Sequence, residues 1–376
     1  MGISKRFAFC LFEYVPFGGM QDNLIRMAKE CVARGHQVDI FARYWKGTRP
    51  NGLRVSILPG RGLSNHKRCE SFAKNLRKHL NTKKYDLVVG FNKMPGLDIY
   101  YAADTCFAAK AEGRNFFYKM TGRYRSYLRL ERAVFQKGAG THILLLSKKE
   151  KQIFMQYYGT EEERFHLLPP GISRDRLAPE NPAKIRSALR RELSIGQTQN
   201  LVLMVGSGFR TKGVDRAIKA ISALPRTLKN NTVLVIVGEG HSRPFRRLAK
   251  KSGVLERVFF MGGRQDVPKF LVAADLLLHP AYRENTGNVL LEAMASGLPV
   301  LATDICGYSC YIEKSGSGLV VPSPFKQKTL NQMLVRMLTS DEKGLWQGHG
   351  QTYIAQTDVF SRHEKAVDIM EQVAGC

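Results

Sequence analysis

The chain has 376 residues, enough for two domains with cores of their own. Lysine and arginine number 58 against 32 acidic residues, a formal net charge of +26, which calls for an anionic partner: nucleic acid, an anionic membrane or a phosphorylated substrate. The seven cysteines stand singly, which argues against a disulfide scaffold or a zinc site, and no stretch reaches the ~18 apolar residues of a membrane-spanning helix.

Taken in chain order, the first apolar run follows Lys5 and Arg6 and is cut off by Glu13. It is too short for a signal peptide and reads as a buried strand over 7–12. Strands and helices then alternate, which predicts a doubly wound parallel sheet. In the first half the strands fall at 7–12, 37–42, 53–58, 86–91, 143–146 and 165–172, with helices near 20–34, 67–80, 123–137 and 148–157. Pro169-Pro170-Gly171 breaks the pattern and marks a domain boundary. Strands resume at 200–206, 232–237, 257–261, 275–279, 299–303 and 318–320. The stretch 350–376 reads as a helix. The fold class expected is α/β with two Rossmann-like, doubly wound parallel-sheet domains facing across a cleft. Ligands of such sheets bind at the carboxyl ends of the strands.

Several strand ends carry groups suited to a phosphorylated ligand. After the first strand comes Phe17-Gly18-Gly19, where backbone can approach a phosphate or sugar with no Cβ in the way, and Asp22 follows. After the strand at 200–206, Gly206-Ser207-Gly208 leads to Arg210 and Lys212, cations that can clamp a diphosphate leaving group. The spacing is neither a Walker loop nor a dinucleotide fingerprint, and Gly238-Glu239-Gly240 also lacks the third glycine of the latter. Gly262-Gly263-Arg264 follows another strand, and Arg174 lies just past the Pro-Gly break, where it either reaches the cleft or is plain surface. Asp104 is open to two readings: a carboxylate that stabilises developing oxocarbenium charge or orients a hydroxyl, or a cap of a turn or helix.

The densest stretch is Glu284-Asn285-Thr286-Gly287-Asn288, with Glu292 eight positions after Glu284. The turn Asn285-Thr286-Gly287 opens a helix, so its N–H groups favour an anion. Glu284 before the turn and Glu292, about two turns into the helix, can each hold a diol, one on a sugar and one on a ribose. That is the geometry a nucleotide-sugar needs. No Asp-x-Asp pair occurs, so no metal is expected to hold the diphosphate.

Residues 107–136 form a basic and aromatic segment. Lys110, Arg114, Lys119, Arg123, Arg125 and Arg129 interleave with Phe116 and Phe117, among other aromatics. The pattern suits an anionic membrane surface, and no RNA-binding motif accompanies it.

These residues together resemble the retaining glycosyltransferases of family 4, with the GT-B fold. The resemblance is carried by Glu284 to Val300, by Lys212-Gly213-Val214-Asp215-Arg216, and by Asn92-Lys93-Met94-Pro95-Gly96-Leu97-Asp98. Leu167-Leu168-Pro169-Pro170-Gly171-Ile172 and Cys306-Gly307-Tyr308 add to it. Across nearly the whole chain it is similar to the members that build the lipopolysaccharide core. The resemblance implies transfer of glucose from UDP-glucose to a heptose of the inner core, with retention and with no cofactor. Another UDP-hexose, another lipid-linked acceptor or, from a different class, a basic nucleic-acid-binding protein are the alternatives. The resemblance places the Gly18-Gly19 loop on the donor diphosphate and sugar, Asp22 on the sugar or the acceptor, and the Arg264 loop at the nucleobase. Domains are expected at 1–170 (acceptor and membrane side) and 171–350 (donor side), with 351–376 crossing back to the first. The expected partners are UDP-glucose, the heptose acceptor and anionic lipids, with no nucleic acid. The expected place is the cytoplasmic face of the inner membrane.

Overall fold

A computed structural model describes residues 4–16 and 18–375. The chain divides into two compact units, one of residues 1–169 with 361–376 and the other of residues 170–360.

The first unit holds a seven-stranded parallel sheet. Its strands are β1 (Arg6–Tyr14), β2 (Gln37–Trp45), β3 (Arg54–Ile57), β4 (Leu87–Gly90), β5 (Ile99–Ala102), β6 (His142–Leu145) and β7 (Phe165–Leu167), in the order β3-β2-β1-β4-β5-β6-β7. Parallel strands with helices on both faces are apolar throughout, not alternating. β1 shows this: Phe7, Phe9 and Leu11 pack on one face with Leu24 and Met27, while Ala8 and Cys10 pack on the other with Phe72 and Val134. The helix Arg362–Val373 joins the first of these faces through Ala366, Val367 and Met370.

The second unit holds a six-stranded parallel sheet. Its strands are β8 (Asn200–Val205), β9 (Thr232–Val237), β10 (Val258–Phe260), β11 (Leu276–His279), β12 (Val300–Thr303) and β13 (Gly318–Val321), in the order β10-β9-β8-β11-β12-β13. Leu201 and Leu203 face one core with Leu290 and Leu291; Val202 and Met204 face the other with Ile218 and Leu330. In each sheet the strand order reverses once, between β1 and β4 and between β8 and β11. A crevice opens at such a reversal, at the strands' carboxyl ends.

Four local expectations are corrected. Strand β5 was not among the expected strands; its four residues are all buried between β4 and β6, and Asp104 follows it. The strand expected at 165–172 ends at Leu167, because Pro169 and Pro170 cannot donate to a ladder. In the basic segment the helix expected at 123–137 runs Gly122–Phe135, and two short helices not expected, Phe107–Glu112 and Phe116–Met120, precede it. The helix expected over 350–376 is two, Lys343–Gln356 and Arg362–Val373. Between them Val359 is fully buried and its carbonyl accepts from Ile172 N at 2.8 Å, which holds that link in a non-helical path.

Candidate active site

In the second unit, the loops after β8 and β11 meet at the strand reversal. Gly206, at the end of β8, has φ +146, and a Cβ there would lie 3.0 Å from Lys212 Cε. The Lys212 stem therefore lies across bare backbone. Phe209–Lys212 is a single helical turn that ends at Gly213, with φ +76. A Cβ on Gly213 would collide with the Pro280 carbonyl of the β11 loop. Three further contacts lace the two loops. Tyr282 N donates to Thr211 O at 2.8 Å. Tyr282 OH donates to Asp215 at 2.8 Å. Arg216 donates to Ala281 O at 2.9 Å while its guanidinium lies 3.6 Å from the rings of both Tyr282 and Phe325.

Lys212 Nζ donates to Glu284 Oε2 in an ion pair. His279, at the end of β11 and only 1% exposed, lies with Nε2 at 3.2 Å from the same oxygen. Burial by itself pushes the Glu284 carboxyl up; the His279 hydrogen bond and the Lys212 charge outweigh it and bring it to about 2. Burial holds His279 below the ordinary imidazole range, so the ring is neutral and donates from Nε2.

The turn after Glu284 is fixed from the β12 side. Gly307 N donates to Glu284 O at 3.3 Å and Tyr308 N donates to Thr286 O at 2.9 Å. A Cβ on Gly307 would collide with the Asn285 carbonyl. Gly287, φ +93, caps the helix Asn288–Ala295. Glu292 is the fifth residue of that helix, just over one turn in rather than the two expected.

The first unit brings Gly18, Gly19 and Asp22 to the end of β1, where the helix Gly19–Ala33 begins. Phe17 lies outside the described residues. Gln21 covers Gly18, and its amide donates to Glu13 O at 3.1 Å. Asp22 pairs with Arg26 at 2.8 Å. Asp104 is exposed, just past β5.

Of the expected cations, Lys212 meets the expected carboxylate Glu284. Arg210 is exposed. Arg174 stacks 4.7 Å over Phe360. Arg264 makes a two-pronged pair with Asp266 at 2.8 Å, which raises its pKa further. Its loop still joins the β8 end: Gly238 N donates to Gly262 O, and Gly206 N to Val237 O, each at 2.8 Å. Sequence reasoning assigned no role to His279 or Gly238. His279 had one signal, a polar residue closing an otherwise apolar strand. Among the described residues, no three His, Cys, Asp or Glu side chains gather as metal ligands.

The basic segment projects large side chains. Phe116 is 72% exposed and Phe117 is 76% exposed, with Met120 beside them. Lys110, Arg114, Arg123, Arg125 and Arg129 are exposed and Lys119 is half-buried. The segment is anchored by Glu131, which is fully buried and accepts from Phe107 N, Ala108 N and Tyr158 OH at 2.6–2.9 Å. Lys93 completes the site as an ion pair; its charge and these hydrogen bonds overcome burial and keep Glu131 below the usual carboxylate range. No described helix is long and apolar enough to cross a membrane.

Comparison with known proteins bears on the family and the fold. Residues 17–176 match the profile of glycosyltransferase family 4, and residues 185–344 that of glycosyl transferases group 1. The chain is 45% identical over 365 residues to the lipopolysaccharide glucosyltransferase WaaG of Escherichia coli K12, covering 96% of this chain and 98% of that one. It is 26% identical to a D-inositol 3-phosphate glycosyltransferase of Corynebacterium glutamicum, over 90% and 88% of the two chains. The crystal structure of WaaG superposes with a TM-score of 0.94 at 44% identity, over 96% of this chain and 99% of that one. Anabaena HepE, solved with UDP and glucose, shares the fold alone, with a TM-score of 0.77 at 16% identity over 98% and 100% of the chains. With two parallel-sheet α/β units, both family profiles and a relative of this identity along nearly its full length, the chain belongs to the GT-B glycosyltransferases of family 4, alongside WaaG.

Proposed function

We propose that the protein transfers glucose from UDP-glucose to a heptose of the lipopolysaccharide inner core, retaining the α configuration, while docked on the cytoplasmic face of the inner membrane. One observation carries the reading: Lys212 and Glu284 meet at the strand reversal of the second sheet, beside a helix that opens at Gly287. In this reading Lys212, with Arg210, takes the charge that gathers on the departing diphosphate. Glu284 holds sugar hydroxyls, and Glu292 holds the ribose. Gly206 and the backbone of Asn285, Thr286 and Gly287 admit the phosphates closely. The Gly262–Arg264 loop meets the base, and Arg174 adds a cation. From the first unit, Gly18, Gly19 and Asp22 meet donor or acceptor, and Asp104 steadies the reacting ring.

Retention follows from attack on the face the leaving group vacates. The acceptor hydroxyl bonds to the anomeric carbon as the C–O bond to the diphosphate breaks, and the departing phosphate takes the proton. The protein supplies position and field.

The test is calorimetry with UDP and UDP-glucose, with and without EDTA, together with turnover on heptose-terminated core lipopolysaccharide. Binding that survives EDTA and glucose transfer to the heptose are expected. Glu292→Gln should mainly weaken UDP binding. Glu284→Gln should mainly lower kcat, by roughly 10- to 100-fold for a lost hydrogen bond to a charged group. Wild-type kinetics in both variants would remove the assignment.

A further inference from the structure

Glu284 is held on one side only. Lys212 Nζ and His279 Nε2 both reach its Oε2, and no donor among the described residues reaches Oε1. The two holders differ. Lys212 carries charge on a flexible stem and is half-buried. His279 is 1% exposed, grows from the last position of β11 and cannot turn away. Its Nδ1 is buried with no hydrogen-bond partner. An unsatisfied buried acceptor carries a cost, so the ring is kept here for what Nε2 does.

We propose that His279 is a positioning residue for sugar recognition: it alone holds Glu284 Oε2 once Lys212 turns to the donor diphosphate, and so keeps Oε1 available to a sugar hydroxyl. This rests on the donor site proposed above. A diphosphate oxygen within reach of Lys212 competes for the ammonium, because it presents more negative charge than one carboxylate oxygen. The exchange leaves Glu284 without its cation at the moment it must be fixed. A neutral N–H donor from a rigid strand end supplies the restraint and does not compete for the phosphate. The absence of a Cβ at Gly287, where one would sit 3.4 Å from Glu284 Cγ, gives the carboxylate room on the turn side, so the restraint has to come from β11.

The experiment compares His279→Leu, which keeps bulk, His279→Ala, and His279→Gln, whose amide N–H lies near the place of Nε2–H. UDP affinity is read by calorimetry, kcat and KM by turnover of UDP-glucose, and folding by melting temperature. The expected result is UDP affinity within about twofold of wild type in all three, because Glu284 contacts the sugar and not the nucleotide. His279→Leu and His279→Ala should lose roughly 10- to 100-fold in kcat/KM, the worth of a hydrogen bond to a charged group. His279→Gln should recover most of that loss. Should His279→Ala fail to fold, the Leu and Gln variants carry the same comparison. Normal turnover in His279→Leu overturns the proposal. So does an equal loss in Leu and Gln variants that melt like wild type, or a loss of UDP affinity matching the loss of turnover. Failure of the wild-type protein to bind UDP would instead remove the donor site itself.

Discussion

His363 shows how far a single side chain here departs from its free behaviour. Burial first, then the neighbouring Arg362 and Arg26, lower its pKa from 6.5 to about 4, while Nε2 lies 2.8 Å from Asn23 Oδ1. The folded ring is therefore neutral where the unfolded one takes a proton. Above pH ~6.5 the two states bind protons alike; between 6.5 and about 4 the unfolded state binds more, so stability falls as pH falls. The melting temperature should drop between pH 7 and pH 5, and His363→Gln should show a shallower drop by calorimetry. A slope unchanged by the substitution would place the effect elsewhere, with His166 and His279, which burial also lowers, as the next candidates. The Glu284 carboxyl works at lower pH. Its contribution is complete above ~4.5 and is lost as pH falls towards about 2. At this scale Glu284 and Gly287 were readable as a charge and a special turn in one short window, and Lys212 as a cation after a glycine-rich strand end; the pairing of Lys212 with Glu284 across 72 positions was not. The Lys93–Glu131 pair was not readable: its members are 38 positions apart, and only the order of the strands brings them together. Arg264 was readable as a cation near a strand end, but its local pairing with Asp266 was not.

At the scale of elements, the longer strands and helices followed from apolar run length, and the misses have local causes. β5 is four residues long, with Gly96 and Asp98 just before it, and its burial comes from β4 and β6 on either side. Nothing in four residues announces that. The break at Val359 is likewise set by its partner, Ile172, far away in the chain. Glycines mark where elements touch, and two of them give a prediction. Gly213→Ala meets both a left-handed φ and the Pro280 carbonyl, while Gly307→Ala meets the Asn285 carbonyl. Neither obstacle is a side chain that can swing aside. Each substitution should cost about 1–3 kcal/mol of stability as backbone shifts to relieve the overlap. Each should also weaken UDP-glucose binding more than Gly348→Ala does, since a Cβ on Gly348, inside the helix Lys343–Gln356, meets nothing within 4 Å. Denaturant titration and calorimetry on the three variants check the order.

At the scale of the whole molecule, the charge of +26 has a local expression in the 107–136 segment, which carries exposed arginines together with exposed Phe116 and Phe117. A cation near an anionic leaflet contributes about 1 kcal/mol, and salt screens the attraction beyond ~8 Å at physiological strength. Sedimentation with vesicles should show binding to phosphatidylglycerol-rich membranes, weak binding to neutral ones, and release as salt rises. Replacing Lys119, Arg123 and Arg125 with Ser should weaken that binding and leave UDP affinity unchanged. Replacing Phe116 and Phe117 with Ser should weaken it without changing its salt dependence. Equal binding to neutral vesicles, or tight salt-resistant binding to RNA, would argue against a membrane role.

The first unit is discontinuous in the chain. Its core includes Ala366, Val367 and Met370, and Arg34 pairs with Asp368 and Glu371 of that same late helix at 2.8 and 3.0 Å. On a ribosome, then, the half that emerges first is completed last. Until residue 370 leaves the exit tunnel, the face formed by Leu24, Met27 and Cys31 has no cover from that helix. The second unit, residues 170–360, has no such wait. The nascent chain thus spends the synthesis of nearly two hundred residues with one greasy face open, a window in which a trigger-type chaperone has a defined surface to hold.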